Sequence, residues 1–194
     1  MIMRMAFVIF DNMTTLDFVG FHNAVTWLKK RHFMEDLSWD FCSSKEEVLD
    51  DRGMMIKVDH VLPNLSSYDV VFVPGGIATR SLIHDRSFID WIRTAKEVTY
   101  KVSVCTGALL YGAAGFLEGK KATTNPLAYD LLEPYCEEVI KLRVFRDGNI
   151  FTGGGITASI DLGLFFVESI TSRAVARDIQ VYMDYPYYDQ VSLD

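Results

Sequence analysis

The sequence predicts an α/β fold in which helices cover both faces of a mainly parallel sheet, and three features carry that expectation. Val70-Val71-Phe72-Val73 is an unbroken apolar run that stops at Pro74-Gly75-Gly76, as a strand buried on both faces does. Lys101 to Val104 is a second short run rich in β-branched residues, and it feeds directly into small residues suited to a helix packed on a sheet. Strand-like and helix-like segments then alternate along the chain, the order that builds parallel βαβ units.

The elements follow in order. Met5 to Phe10 reads as the first strand, ending at Asp11-Asn12, and Gly20 to Arg31 repeats apolar residues at helical spacing. Leu37 to Ser43 is the next strand. The polar stretch 45–62 forms short strands around a turn at Asp51-Arg52-Gly53. After the Val70 strand comes a helix from about Ser87 to Lys96, and after the Lys101 strand a helix through Cys105 to Ala114. Ala122 to Thr124 is a short strand and Leu127 to Glu133 a helix. Val139 to Phe145 and Asn149 to Thr152 form a hairpin turned at Asp147-Gly148. Two amphipathic helices close the pattern, Thr157 to Ser169 and Ser172 to Met183, the second leading into Tyr182, Tyr185, Tyr187 and Tyr188, an aromatic tail expected to pack on the body or on a second subunit.

Composition narrows the function. The 194 residues, 49% apolar and 23% charged, suit one core, so a single domain over residues 1–194 is expected. A formal net charge of −7 argues against nucleic acid or an acidic membrane as partner, since both need a basic footprint, and leaves small neutral molecules or proteins. No apolar stretch approaches the ~18 residues of a membrane span, and the amino terminus reads as a strand rather than a signal peptide, so a cytoplasmic location is expected. Cys42, Cys105 and Cys136 form no CxxC pair, and the four histidines show no ligand spacing, which leaves no metal site and no cofactor in view.

Cys105 has the most suggestive position. A thiol at the carboxyl end of a parallel strand and the start of a helix lies where open α/β sheets bind ligands, and the free N–H groups there favour thiolate, so a pKa below the usual ~8.5 is expected. Position alone does not separate that reading from a small buried hydrophobe. Cys42 and Cys136 read as structural. Gly75-Gly76 either aims backbone N–H groups at a ligand or makes a tight turn. Asp17, by its place ahead of a helix, reads first as an N-cap. Gly153 to Ala158 matches G-x-G-x-x-A, but no strand with an acid follows, so a close strand-to-helix crossing is expected rather than a dinucleotide site.

LDFVG, VVFVPGG, SVCTGALLYGAAGFLEGKKATT, TGGGITASIDLGLFFVE and VARDIQVYMDY, in that order and spacing, resemble the PfpI-like superfamily related to class I glutamine amidotransferases, most of all its isonitrile hydratase branch and the sensor domains of some AraC-type regulators. The resemblance implies a flavodoxin-like three-layer sandwich with a nucleophile elbow at Cys105, a homodimer, and no DNA-reading helix-turn-helix. It also implies cofactor-free hydration of isonitriles to N-substituted formamides, with Cys105 as nucleophile, Asp17 as acid and base, and Thr106 holding Asp17, the water or the adduct. Gly75, Gly76, Ile77, Asn125, Gly155 and Ile156 would line the site, with the Gly76 and Thr106 amides as donors to developing negative charge. A glyoxalase or deglycase-like activity on reactive carbonyls and a non-catalytic small-molecule or redox sensor are the alternatives. The sequence departs from the family at Phe21, where proline is common, at Asn23, where glutamate is frequent, and at Asn125, where histidine is frequent. The first two predict an altered pocket wall and the third the loss of a proton-transfer group. Thr106, where peptidase-like members carry histidine, and the lack of a His-x-Glu pair disfavour a peptidase or a glutaminase.

Overall fold

A computed structural model describes residues 2–188; Met1 and residues 189–194, part of the expected 1–194 domain, lie outside the described residues. The chain runs β1 (Met3–Val8), α1 (Thr15–Lys30), β2 (Leu37–Ser43), β3 (Glu47–Leu49), β4 (Met55–Lys57), β5 (His60–Val61) and β6 (Val70–Val73). It continues through α2 (Thr79–Leu82), α3 (Arg86–Arg93), β7 (Tyr100–Val104), α4 (Gly107–Ala113), β8 (Lys121–Ala122), α5 (Tyr129–Leu132) and β9 (Glu138–Val139). β10 (Val144–Asp147), β11 (Ile150–Gly153), α6 (Ala158–Ile170) and α7 (Arg173–Tyr182) complete it.

Seven strands form one sheet in the order β10-β11-β7-β6-β1-β2-β5, and every neighbouring pair is parallel except the β10–β11 hairpin. α6 packs on α1 and α7, while α4 packs on α2, α3 and α5, giving two helical layers with the sheet between them. The central strands lie at the bottom of the core: all four residues of β6 are buried. Above them Phe21 of α1 stacks on Phe72 of β6 at 4.5 Å between ring centres, and Phe7 of β1 meets Phe72 at 5.6 Å. Burying such rings contributes about 1.5–3 kcal/mol apiece, so the same residues that set the helical spacing fix α1 against the sheet.

Three local expectations fail for identifiable reasons. α1 begins at Thr15, five residues before the expected Gly20, which brings Asp17 into its first turn. The expected helix over Leu127 to Glu133 is divided into a 3₁₀ turn at Pro126–Ala128, α5, and a second 3₁₀ turn at Glu133–Tyr135, where Pro134 lacks the N–H that would carry α5 onward. The expected strand Val139 to Phe145 is two strands. β9 pairs in parallel with β8 away from the main sheet, and between β9 and β10 the carbonyls of Leu142 and Arg143 accept from the Thr123 hydroxyl and the Gly154 N–H instead of a ladder partner. The aromatic tail packs on the body: Tyr185 reaches Asp161, and the Tyr188 hydroxyl donates to Glu168 at 2.7 Å. Among the described residues no helix is long and apolar enough to cross a membrane.

Candidate active site

Cys105 follows the last residue of β7 and precedes α4, and its backbone is left-handed, with φ of 55°. A non-glycine residue in that region is strained by ~1–2 kcal/mol and persists only where its surroundings hold it. Two things hold it. The Cys105 N–H donates to both the Gly153 and Gly154 carbonyls, at 2.9 and 2.8 Å, and the Thr124 hydroxyl donates to the Cys105 carbonyl at 2.7 Å. The sharp turn from strand to helix that the resemblance implies is therefore present, with the side chain buried.

Asp17 is not an N-cap. Thr14 takes that position, without a side-chain cap bond, and Asp17 turns its carboxyl inward with no exposed surface. The reason is that the chain ahead of α1 is sewn to the turn after β6: the Thr14 N–H donates to the Gly75 carbonyl at 3.0 Å, and Met13 and Gly76 form an antiparallel bridge. The Gly75 N–H then donates to Asp17 Oδ2 at 2.9 Å, while Oδ1 has no hydrogen-bond partner in the protein. Gly75 is the junction of the site. A Cβ there would stand 2.7 Å from Cys105 Cβ, 2.7 Å from the Thr106 nitrogen and 2.8 Å from Asp17 Oδ2.

Burial pushes the Asp17 carboxyl up to about 7, against the opposing pull of the Gly75 N–H and the Cys105 thiol. The Cys105 thiol is pushed up to about 11, first by burial and then by the negative charge of Asp17. This corrects the expected low thiol pKa. The Thr106 and Ile156 amides and the Asn125 side chain do favour thiolate, but they do not outweigh lost solvation beside a carboxylate. Near neutrality the pair therefore gives up its first proton from Asp17.

Asn125 donates from Nδ2 to Cys105 Sγ at 3.5 Å, so the residue at the family's frequent histidine position does touch the thiol, as a neutral donor. Thr106 turns its hydroxyl to Gly76. Its hydroxyl exchanges hydrogen bonds of 3.1 Å with the N–H and carbonyl of Gly76 and lies 2.8 Å from the Thr79 hydroxyl. The Gly76 N–H, expected as a donor to developing charge, is thus engaged by Thr106. Of the remaining expected lining, Gly155 abuts Asn125, and the side chains of Ile77 and Ile156 are exposed. Leu16, next to Asp17, and Leu127, two positions after Asn125, neither singled out as lining from the sequence, are also exposed apolar side chains.

Of the two residues expected to alter the pocket wall, Phe21 lies in the core on Phe72, and Asn23 accepts from the Trp27 indole at 3.1 Å on an exposed part of α1. Cys42 is buried near the Tyr68 hydroxyl, with its thiol pushed up to about 11 by burial, and Cys136 donates to the Leu132 carbonyl. Among the described residues no three His, Cys, Asp or Glu side chains could hold a metal ion. A cleft of about 320 Å³ between the ends of β1 and β2 and the α2–α3 region includes none of Cys105, Asp17 or Asn125.

Residues 3–169 match the model of the DJ-1/PfpI family. The chain is 35% identical over 198 aligned positions to isonitrile hydratase from Pseudomonas putida, an alignment covering 100% of this chain and 85% of the relative. It is 31% identical over 152 positions to the HTH-type transcriptional regulator CdhR from Pseudomonas aeruginosa, covering 75% of this chain and 45% of that protein. Its fold is similar to the crystal structure of a THiJ/PfpI family protein from Pseudomonas syringae, with a TM-score of 0.86 and 28% identity, over 96% of this chain and 76% of the other.

Proposed function

This chain belongs to the DJ-1/PfpI family, and on that premise we propose that it is a cysteine-dependent enzyme that adds water to isonitriles, giving N-substituted formamides. The observation that carries the reading is the meeting of Cys105 and the inward-turned Asp17 carboxyl at Gly75. A carboxyl pushed up to about 7 both takes and returns protons near neutrality, which is what the addition needs twice.

In the proposed cycle the Cys105 sulfur bonds to the terminal carbon of R–NC. The thiol proton passes to the Asp17 carboxylate and from there to that same carbon, giving a thioimidate, R–N=CH–S–Cys. Water then adds to the carbon: Asp17 takes one of its protons as the C–O bond forms and delivers it to nitrogen. Collapse breaks the C–S bond, forms the formamide carbonyl and returns the hydroxyl proton to sulfur. The Thr106 and Ile156 amides and Asn125 favour negative charge on the sulfur as it attacks and as it leaves. Similarity over this whole chain and 85% of an isonitrile hydratase supports the choice of substrate.

The test follows loss of a simple alkyl isonitrile and appearance of its formamide with wild type, Cys105→Ala and Asp17→Asn. Turnover by wild type alone supports the proposal. Wild-type formamide no higher than the Cys105→Ala background across several isonitriles sinks it, and reactive carbonyls become the next substrates to try. A ligand-sensing role is the second reading, favoured by the similarity to a transcriptional regulator; saturable binding without turnover would mark it.

A further inference from the structure

We infer that Arg143 is a positioning residue for Cys105: with the buried Asp161 and with Tyr185 it fixes the turn 153–157 against which the thiol residue rests. The inference depends on Cys105 being the reacting group, as proposed above, and on no particular substrate.

Asp161, in the first turn of α6, has no exposed surface. A carboxylate there is tolerated only when paired and hydrogen-bonded. Arg143 Nε donates to its Oδ2 at 2.6 Å, and the Tyr185 hydroxyl lies 3.1 and 3.0 Å from its two oxygens. The other end of the guanidinium donates to the Thr157 hydroxyl at 3.0 Å. Arg143 also acts through its main chain, its carbonyl accepting the Gly154 N–H at 2.9 Å. One residue therefore grips the turn at two points, by backbone at Gly154 and by side chain at Thr157.

The same turn meets the thiol residue from two directions. The Gly153 and Gly154 carbonyls accept the Cys105 N–H, which holds the left-handed backbone of the elbow. Gly155 lies so near Asn125 that a Cβ would stand 2.9 Å from the Nδ2 that donates to Cys105 Sγ. A small drift of the turn would thus loosen the elbow and the Asn125 donor together. Lysine at 143 reaches Asp161 as a point charge but lacks the planar fork that serves Asp161 and Thr157 at once. The ionisable group that interacts with the thiol, Asp17 on α1, stays in every variant below, as do the neutral donors Asn125, Thr106 and Ile156.

The test measures iodoacetamide alkylation of Cys105 against pH, read on the Cys105 peptide by mass spectrometry, for Arg143→Ala, Arg143→Lys and Thr157→Val, with thermal melts to establish folding. Arg143→Ala is expected to alkylate about tenfold more slowly at pH 8 and, where formamide is formed, to lose kcat with KM within about twofold, the pattern of misplaced reacting groups. Arg143→Lys is expected to recover part of the loss, and Thr157→Val to move the same way by less. Folded Arg143→Ala with a wild-type alkylation profile overturns the inference. Should that variant not fold, Thr157→Val decides: it keeps the Arg143–Asp161 pair, and a wild-type profile in it overturns the inference equally. Alkylation needs no isonitrile, so failure of the hydratase reading leaves this arm intact.

Discussion

The Asp17 carboxyl and the Cys105 side chain both close on Gly75, where a single added carbon would sit 2.8 Å from Asp17 Oδ2 and 2.7 Å from Cys105 Cβ. The third neighbour of that carbon, the Thr106 nitrogen at 2.7 Å, is backbone and cannot swing aside as a side chain does. Gly75→Ala is therefore expected to destabilise the fold by about 1–3 kcal/mol and to lower formamide formation by roughly 100-fold in the protein that still folds. Denaturant titration and single-substrate kinetics measure the two effects separately.

Asp17 makes stability depend on pH. Its folded pKa is raised from 3.8 to about 7, so the folded state holds the proton more tightly than the unfolded chain does. The stabilisation is complete below pH 4 and is lost as pH rises through 7. A rise of that size corresponds to on the order of 4 kcal/mol. Asp17→Asn, which keeps an oxygen for the Gly75 N–H, is expected to gain stability over wild type as pH goes from 4 to 8. Urea midpoints of both proteins across that range are the check, and parallel curves would contradict the assigned shift.

The same substitution is expected to separate thiol reactivity from turnover. The Asp17 charge is the second cause, after burial, of the high Cys105 pKa. Removing it brings the thiol pKa down, and each unit of decrease raises the thiolate fraction at pH 8 about tenfold. Asp17→Asn thus alkylates faster at Cys105 while making less formamide, a combination that general damage to the site would not produce.

Asn125 works in the opposite sense, since its amide favours the charged sulfur. Asn125→Ala is expected to slow alkylation of Cys105 and formamide formation by roughly fivefold, the value of a modest hydrogen bond of ~1 kcal/mol. Melting curves should stay within a few degrees of wild type. Alkylation as fast as in wild type would mean that the 3.5 Å contact has no effect on the thiol.

Much of the fold can be read from local pattern because β6 is apolar throughout and stops at Pro74-Gly75-Gly76, and the mainly apolar β1 runs on to Asp11-Asn12. Cys105 stands out for the same reason, as the residue at the end of such a strand. Asp17 does not. Its surroundings in sequence are those of a helix cap, and only the pairing of residues 13–14 with 75–76 turns it toward the thiol. The thiol pKa escapes a sequence reading because helix N–H groups are local, whereas the burial that outweighs them is made by distant elements. Arg143 lies in a stretch that looks like unbroken strand, and nothing nearby announces that its partner is an aspartate on α6.

The stitching of the α1 entry to the turn after β6 also sets an order of events. The bond between Asp17 and the Gly75 N–H spans 58 positions of the chain, and the Thr106–Gly76 bond spans 30. Contacts of such separation form only after the cost of closing long loops has been met. The acid and the thiol are thus strangers in a nascent or half-collapsed chain, and they become neighbours only when β1, β6 and β7 have docked side by side. Their mutual influence is expected to arrive late in folding, and its appearance in a refolding experiment would mark docking of these three strands.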